Sequence, residues 1–304
     1  MFDVIIVGAG PAGMTACLYA LRFKLKVLLV DRMQIGGYLN YIDILENYPG
    51  FPDGISGIKL TEYIISQLKH YDFQFMQTTV EAISKDAKGQ WELKTAKETL
   101  VSKTIIICTG TVPKKLGITG EAEFLGKGVS YCAMCDAPFF RDKEIVVIGG
   151  GNTALEEALY LSKFASKVTI VHRRDRFRGD AVFVEKAKQS ENIDFIMESV
   201  CTKISGAVTV EGVNIKGPAG NEKLVRTSGV FLFVGMNPQT EILEGLGARD
   251  DSGYIVADEN FATTAKGIFV AGDCRQNSLR QVISACGEGA KAAYSVHKLL
   301  EKYD

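Results

Sequence analysis

Two cysteines separated by two residues, Cys132-Ala133-Met134-Cys135, are the side chains whose types and spacing most directly offer chemistry. If the residues between them begin a helix, the two thiols come within disulfide range. A helix N-terminus would also lower a thiol pKa and favour attack as the thiolate. Asp136 follows directly, and a carboxyl beside a dithiol can take up or return its proton. Zinc is the competing chemistry, but a zinc site needs about four ligands. The chain has no second C-x-x-C, and His70, His172 and His297 are isolated, so no metal is expected. A static disulfide and a chance pair of neighbouring cysteines also compete with a redox role. The remaining cysteines, Cys17, Cys108, Cys201, Cys274 and Cys286, are scattered singly and read as small hydrophobes. An odd total of seven is not a secreted disulfide framework, and a cytoplasmic protein with one special pair fits better.

The elements that must position this pair come as an internal repeat. Val4-Ile5-Ile6-Val7 is a continuous apolar run, as expected of a strand buried on both faces. It leads into Gly8-Ala9-Gly10-Pro11-Ala12-Gly13, a helical stretch from Met14 to Phe23, and a second strand, Val27-Leu28-Leu29-Val30, that ends at Asp31. The same succession returns 141 residues later. Ile145-Val146-Val147-Ile148 is the strand, Gly149-Gly150-Gly151-Asn152-Thr153-Ala154 the turn, and Val168-Thr169-Ile170-Val171 the second strand. Gly8, Gly10 and Gly13 map onto Gly149, Gly151 and Ala154. In such a turn the first glycine permits a tight bend and the second lets backbone approach a pyrophosphate. The third position must be small so that helix packs on strand. The pyrophosphate sits at the helix N-terminus, where free N–H groups and the dipole favour an anion. Two copies in register, each with its strand, helix and second strand, predict two dinucleotide sites.

The copies differ where their ligands should differ. An acid at the end of the second strand bonds a ribose hydroxyl pair, and Asp31 can do so. The second copy has His172-Arg173-Arg174-Asp175-Arg176-Phe177-Arg178 there instead. A carboxylate would repel a 2′-phosphate, whereas an arginine fork binds one bidentately. Arg173, Arg174 and Arg178 therefore point to NADP(H) rather than NAD(H) in the second site.

The bulk numbers agree with an ordinary folded chain. Its 304 residues suggest two domains. Hydrophobic residues make up 46% and charged residues 23%, a usual balance. A net charge of −1 lacks the basic excess of a nucleic-acid binder. No apolar run approaches the ~18 residues that span a bilayer. The apolar start has no basic flank and is soon interrupted by glycine, so it reads as a first strand rather than a signal peptide.

Together these features resemble the low-molecular-weight thioredoxin reductases across nearly the whole chain. The resemblance is carried by Gly8-x-Gly10-x-x-Gly13, Gly36-Gly37, Glu46-Asn47-Tyr48-Pro49-Gly50, Thr109-Gly110 and Cys132-x-x-Cys135-Asp136. It continues through Gly149-Gly150-Gly151-Asn152-Thr153-Ala154, His172-Arg173-Arg174 with Arg178, Gly272-Asp273 and Arg280-Gln281. It implies an α/β fold of two Rossmann-like, three-layer domains. A discontinuous FAD domain, 1–113 and 242–304, would receive an inserted NADPH domain, 114–241, carrying the redox pair. FAD would meet Gly8, Gly10, Gly13, Asp31, Gly36, Gly37, Asn47, Gly272, Asp273, Arg280 and Gln281. NADPH would meet Gly149, Gly151, Asn152, Thr153, Ala154, His172, Arg173, Arg174 and Arg178. The implied relay runs from NADPH through FAD to the Cys132–Cys135 disulfide and on to thioredoxin or a thioredoxin-like protein. Cys135 would be the flavin-proximal thiol, Cys132 would attack the partner disulfide and Asp136 would act as the acid. The inserted domain would rotate at joints near Lys114 and Met236-Asn237-Pro238, and the chain would form a homodimer.

Two positions depart from the family pattern. Tyr38 stands where glutamine usually follows Gly36-Gly37, and Leu279 stands where tyrosine usually precedes Arg280-Gln281. These leave the fold expectation intact and bear on the identity of donor and acceptor. The rival readings are an FAD-dependent dithiol oxidase, a flavin reductase of the same scaffold with another donor or acceptor, and a non-catalytic FAD-binding partner protein.

Overall fold

A computed structural model of the chain describes residues 1–42 and 44–301. It divides into two compact units. The first comprises Met1–Val112 and Asn237–Asp304, and the second is the intervening Pro113–Met236. The second crossing falls at 236/237 rather than at the expected 241/242. The residues between are tied to the first unit: the Gln239 N–H donates to the Gly110 carbonyl at 3.1 Å, and the Thr240 hydroxyl donates to the Gly253 carbonyl at 2.5 Å. The strands Thr111–Pro113 and Met236–Pro238, where the chain crosses, pair with each other.

In the first unit the strands run in the order Gln74–Gln77, Val27–Asp31, Phe2–Val7, Thr99–Ile107, Trp91–Thr95 and Val80–Lys85. Ile268–Val270 also pairs with Thr99–Ile107. The pairings around Phe2–Val7 are parallel, and those of the Val80–Ile107 meander are antiparallel. Strand residues point alternately to opposite faces, and Phe2–Val7 obeys this on two apolar cores. Val4 and Ile6 pack with the helix Pro11–Arg22 and the C-terminal helix Val282–Leu300. Ile5 and Val7 pack with Val80, Ile83, Trp91 and Leu93. That is why the opening run is apolar at every position.

The second unit repeats this construction. Its parallel sheet runs Ile193–Ile196, Lys167–Val171, Glu144–Gly149, Gly229–Phe233, Val129–Ser130. Ile145 and Val147 face the helix Asn152–Leu161, whereas Val146 and Ile148 face the antiparallel strands Val200–Ser205 and Gly212–Lys216. Each unit thus places helices on one face of parallel strands and antiparallel strands on the other, continuous with the main sheet through Thr99–Ile107 in the first unit and a separate sheet in the second. The repeat extends to register: Val4 pairs with Val27 and Ile145 with Val168, both displaced by the same offset. Both helices begin at equivalent positions, Pro11 and Asn152. Among the described residues, no helix is long and apolar enough to cross a membrane.

Candidate active site

The two glycine turns have the shape that a pyrophosphate requires. Gly8 adopts φ +107°, and a Cβ there would lie 2.2 Å from the Cys108 carbonyl oxygen. A Cβ on Gly13 would lie 1.8 Å from the Gly8 carbonyl oxygen. Gly10 between them opens onto space, with nothing within 4 Å of such an atom. The second turn behaves alike: Gly149 at φ +155° is pressed against the Phe233 carbonyl, and Gly151 opens onto space. The Ala154 methyl lies 2.7 Å from where a Gly149 Cβ would stand, so alanine is tolerated at the third position because the first is glycine. Neither helix has a side-chain cap at its N-cap residue, Gly10 or Gly151. The first-turn N–H groups therefore lack the side-chain partner that most helices supply. Both turns fit a dinucleotide phosphate.

Around the first turn the fold gathers residues far apart in sequence. Asp31 Oδ2 accepts the Ala9 N–H at 2.7 Å and Oδ1 accepts the Met33 N–H at 2.8 Å, so the strand-end carboxylate is fixed against the glycine loop. Gly36 donates its N–H to the Ala9 carbonyl at 2.9 Å, and a Cβ on Gly37 would lie 3.2 Å from Gly10 Cα. Gly272, at φ +82°, stands close to Ala12: a Cβ on it would lie 2.9 Å from the Ala12 methyl. Asn47 donates to Gln281 Oε1 at 3.0 Å across 234 residues of sequence. Arg280 is exposed and its guanidinium lies 4.9 Å from the centre of the Tyr254 ring. Burial pushes the Asp273 carboxyl up to about 6; Arg280 opposes this and Glu288 adds to it.

Glu288 and Arg275 do not stand out in the sequence, yet they hold the Gly272-Asp273 turn. Glu288 Oε2 accepts the Gly272 N–H at 2.8 Å and the Arg275 Nε at 3.2 Å, and Oε1 accepts Arg275 Nη2 at 2.6 Å. The one sequence signal is an acid between Gly287 and Gly289 on an otherwise small-residue helix face.

Around the second turn, Arg173, Arg174 and Arg178 are exposed and Thr153 is exposed. The Arg178 N–H donates to the Gly150 carbonyl at 2.8 Å, which ties the arginine loop to the turn. Asn152 exchanges two hydrogen bonds with Asp180, at 3.0 Å and 2.6 Å, fastening the far end of that loop. His172 is placed differently from the arginines. It is 5% exposed, its ring stacks on Phe177 at 5.5 Å, and its Nε2 lies 3.1 Å from the Arg176 carbonyl. Its Nδ1 stands 2.3 Å from where a Cβ on Gly150 would be, so the imidazole packs under the turn. Burial, with Arg178, Arg174 and Arg173 nearby, lowers its pKa, and the Arg176 carbonyl opposes them.

Cys132 and Cys135 form a disulfide with Cα atoms 5.4 Å apart. Cys132 caps the short helix Ala133–Asp136, and its Sγ accepts the Cys135 N–H at 3.2 Å. Cys132 is half-buried, Cys135 exposed and Asp136 half-buried. Among the described residues no cluster of His, Cys, Asp and Glu could hold a metal ion.

A disulfide on a short helix, in a unit whose parallel sheet carries a nucleotide turn, defines a pyridine nucleotide-linked disulfide oxidoreductase. The profile of the family described as pyridine nucleotide-disulphide oxidoreductase matches residues 2–289. Thioredoxin reductase of Listeria monocytogenes is 41% identical over 304 residues, covering 99% of this chain and 95% of the relative. That of Bacillus subtilis is 39% identical over 308 residues, covering 99% and 96%. The crystal structure of Lactococcus lactis thioredoxin reductase superposes with a TM-score of 0.97 at 39% identity, covering 99% of this chain and 100% of that one. The chain belongs to this oxidoreductase family and, within it, to the thioredoxin reductases. The α/β fold class implied by the resemblance holds.

Proposed function

We propose that this chain is an NADPH-dependent thioredoxin-disulfide reductase that uses FAD and acts in the cytoplasm as a homodimer. The observation that carries the reading is the Cys132–Cys135 disulfide, closed on a short helix in the unit that holds the arginine-flanked nucleotide turn. The open glycines, uncapped helices and, for the second turn, exposed arginines support the two cofactors. Bound FAD would accept hydride from NADPH and hand the electron pair to the disulfide. The first unit would hold FAD through Gly8, Gly10, Gly13, Asp31, Gly36, Gly37, Asn47, Gly272, Asp273, Arg280 and Gln281. The second would hold NADPH through Gly149, Gly151, Asn152, Thr153 and Ala154. Arg173, Arg174 and Arg178 would clamp its 2′-phosphate, and His172 would contribute by supporting Gly150 from beneath.

In the reduced enzyme the Cys132 thiolate attacks one sulfur of the partner disulfide and forms a mixed disulfide, releasing the partner's other thiolate. Cys135 then displaces the partner from Cys132, closing the internal disulfide, and the partner leaves as a dithiol. Asp136 supplies and takes up the protons. The test is NADPH oxidation with oxidised thioredoxin as acceptor, with no turnover on several thioredoxins sinking the reading. Cys135→Ser should abolish thioredoxin reduction, keep flavin bleaching by NADPH and trap a stable mixed disulfide at Cys132. A trap formed only by Cys132→Ser would reverse the two thiol roles, which the greater exposure of Cys135 in the disulfide state makes worth separating.

A further inference from the structure

Beside the redox pair the second unit buries a carboxylate. Glu121 is 4% exposed. Its Oε1 accepts the Leu116 N–H at 2.9 Å and the Tyr131 hydroxyl. Its Oε2 accepts the N–H groups of Gly117 and Ile118, at 2.5 Å and 3.3 Å. Burial pushes its pKa up, but the phenol and the three amides outweigh it and hold the carboxyl below its ordinary value. Burial and the adjacent carboxylate push the Tyr131 phenol well up, so it stays a donor. A buried charge satisfied by four donors gains little over an apolar side chain in stability alone.

What it holds is the residue before Cys132. The next residue back is held as well. Ser130 is buried, its Oγ accepts the Cys132 N–H at 3.0 Å, and it donates to the Cys132 carbonyl at 3.1 Å. Ser130 is itself paired with Phe231 on the sheet. Both polar backbone groups of Cys132 are therefore bound, and the side chain next to it is anchored to a caged anion. A pre-set backbone raises the effective concentration of one thiol at the other, which favours ring closure. We propose that Glu121 and Tyr131 are positioning residues for the redox pair, fixing the chain at Cys132 so that its sulfur stays within bonding reach of Cys135. The role rests on reading Cys132–Cys135 as a redox couple. In that couple the disulfide takes two electrons and two protons and its S–S bond gives two thiols.

The test equilibrates the holoenzyme with mixtures of reduced and oxidised dithiothreitol, whose own thiols supply the electrons and close to its cyclic disulfide. The fraction of Cys132 and Cys135 open to alkylation is then read by mass. Tyr131→Phe removes one hydroxyl, and Glu121→Gln removes the charge and part of the acceptor set. Both should shift the equilibrium towards the dithiol by about tenfold, which is about 30 mV for a two-electron couple. Flavin reduction by NADPH should be unchanged, because the variants act on the disulfide. A Tyr131→Phe equilibrium within about twofold of the parent overturns the proposal, and this holds even if Glu121→Gln fails to fold. If the parent turns over no thioredoxin while Tyr131→Phe still shifts the equilibrium, the functional reading falls and the positioning role stands.

Discussion

The two glycine turns share one backbone and differ in one pair of contacts. In the first, Ala9 and Asp31 face each other and the carboxylate accepts the Ala9 N–H. The equivalent positions in the second are Gly150 and His172, and there the imidazole fills the space a Cβ on residue 150 would need. The middle glycine of the second turn, Gly150, is thus explained by a neighbour rather than by a ligand. The acid that anchors the first loop also keeps a negative charge at the strand end. Replacing it with a buried imidazole removes that charge and leaves Arg173 and Arg174 exposed beside the turn. One substitution pair re-supports the loop and reverses the electrostatics of the site it borders.

The sharpest way to break this contrast is the Arg173→Ala/Arg174→Ala double variant. Charged hydrogen bonds are worth about 1.5–3 kcal/mol, so the preference for NADPH over NADH in steady-state kinetics should fall roughly ten- to hundredfold. The melting temperature should barely move, since exposed substitutions shift stability by about 0.5 kcal/mol or less. An unchanged cofactor preference would refute the 2′-phosphate assignment.

A smaller effect tests the packing half. Gly150→Ala should destabilise the protein by about 1–3 kcal/mol, as overpacked sites do. In the His172→Asp background the same change should cost far less, because the space is vacated. Denaturant melts of the two single variants and the double would give that coupling, and simple additivity would remove the explanation for Gly150.

An effect of similar size, spread over a pH window, is a pH slope carried by Asp273 in the first unit. Asp273 is raised to about 6 from an ordinary 3.8. Folding therefore favours its protonated form, so this contribution is full below about pH 4 and is lost as pH rises through about 6. In protein stripped of flavin, Asp273→Asn should flatten the fall in melting temperature over that window. An unaltered slope would mean that the carboxyl titrates normally.

How much of this is legible in the sequence follows from the range of the interactions. The glycine turns and their flanking strands lie within about thirty residues of one another in each copy, and continuous apolar runs and glycine spacing carry them, while the redox pair lies a short way upstream of the second copy. The arginine loop is legible because charge contrasts with position. The Asn47–Gln281 contact is not, because it joins segments that only tertiary folding brings together, and the Arg275–Glu288 pair and the Glu121 cage are not, because no side-chain spacing rule marks a carboxylate that bonds a nearby irregular loop. Adjacency groups His172 with the arginines, whereas its neighbours in space, Gly150 and Phe177, turn it inward. The second crossing falls a few residues before the expected one because Gln239 and Thr240 belong to the first unit through hydrogen bonds that composition does not encode.

The five free cysteines are all buried. Burial pushes Cys17 up to about 12 and Cys201 and Cys274 up to about 11, and it raises Cys108 as well. At neutral pH these four sulfurs are neither ionised nor reachable. The molecule is therefore wired like an insulated conductor, with sulfur along its length and bare metal at one terminal. In the reduced enzyme an electrophile or peroxide in the surrounding solution meets Cys132 and Cys135 before the five buried thiols, so wear is concentrated on the one contact that every catalytic cycle renews.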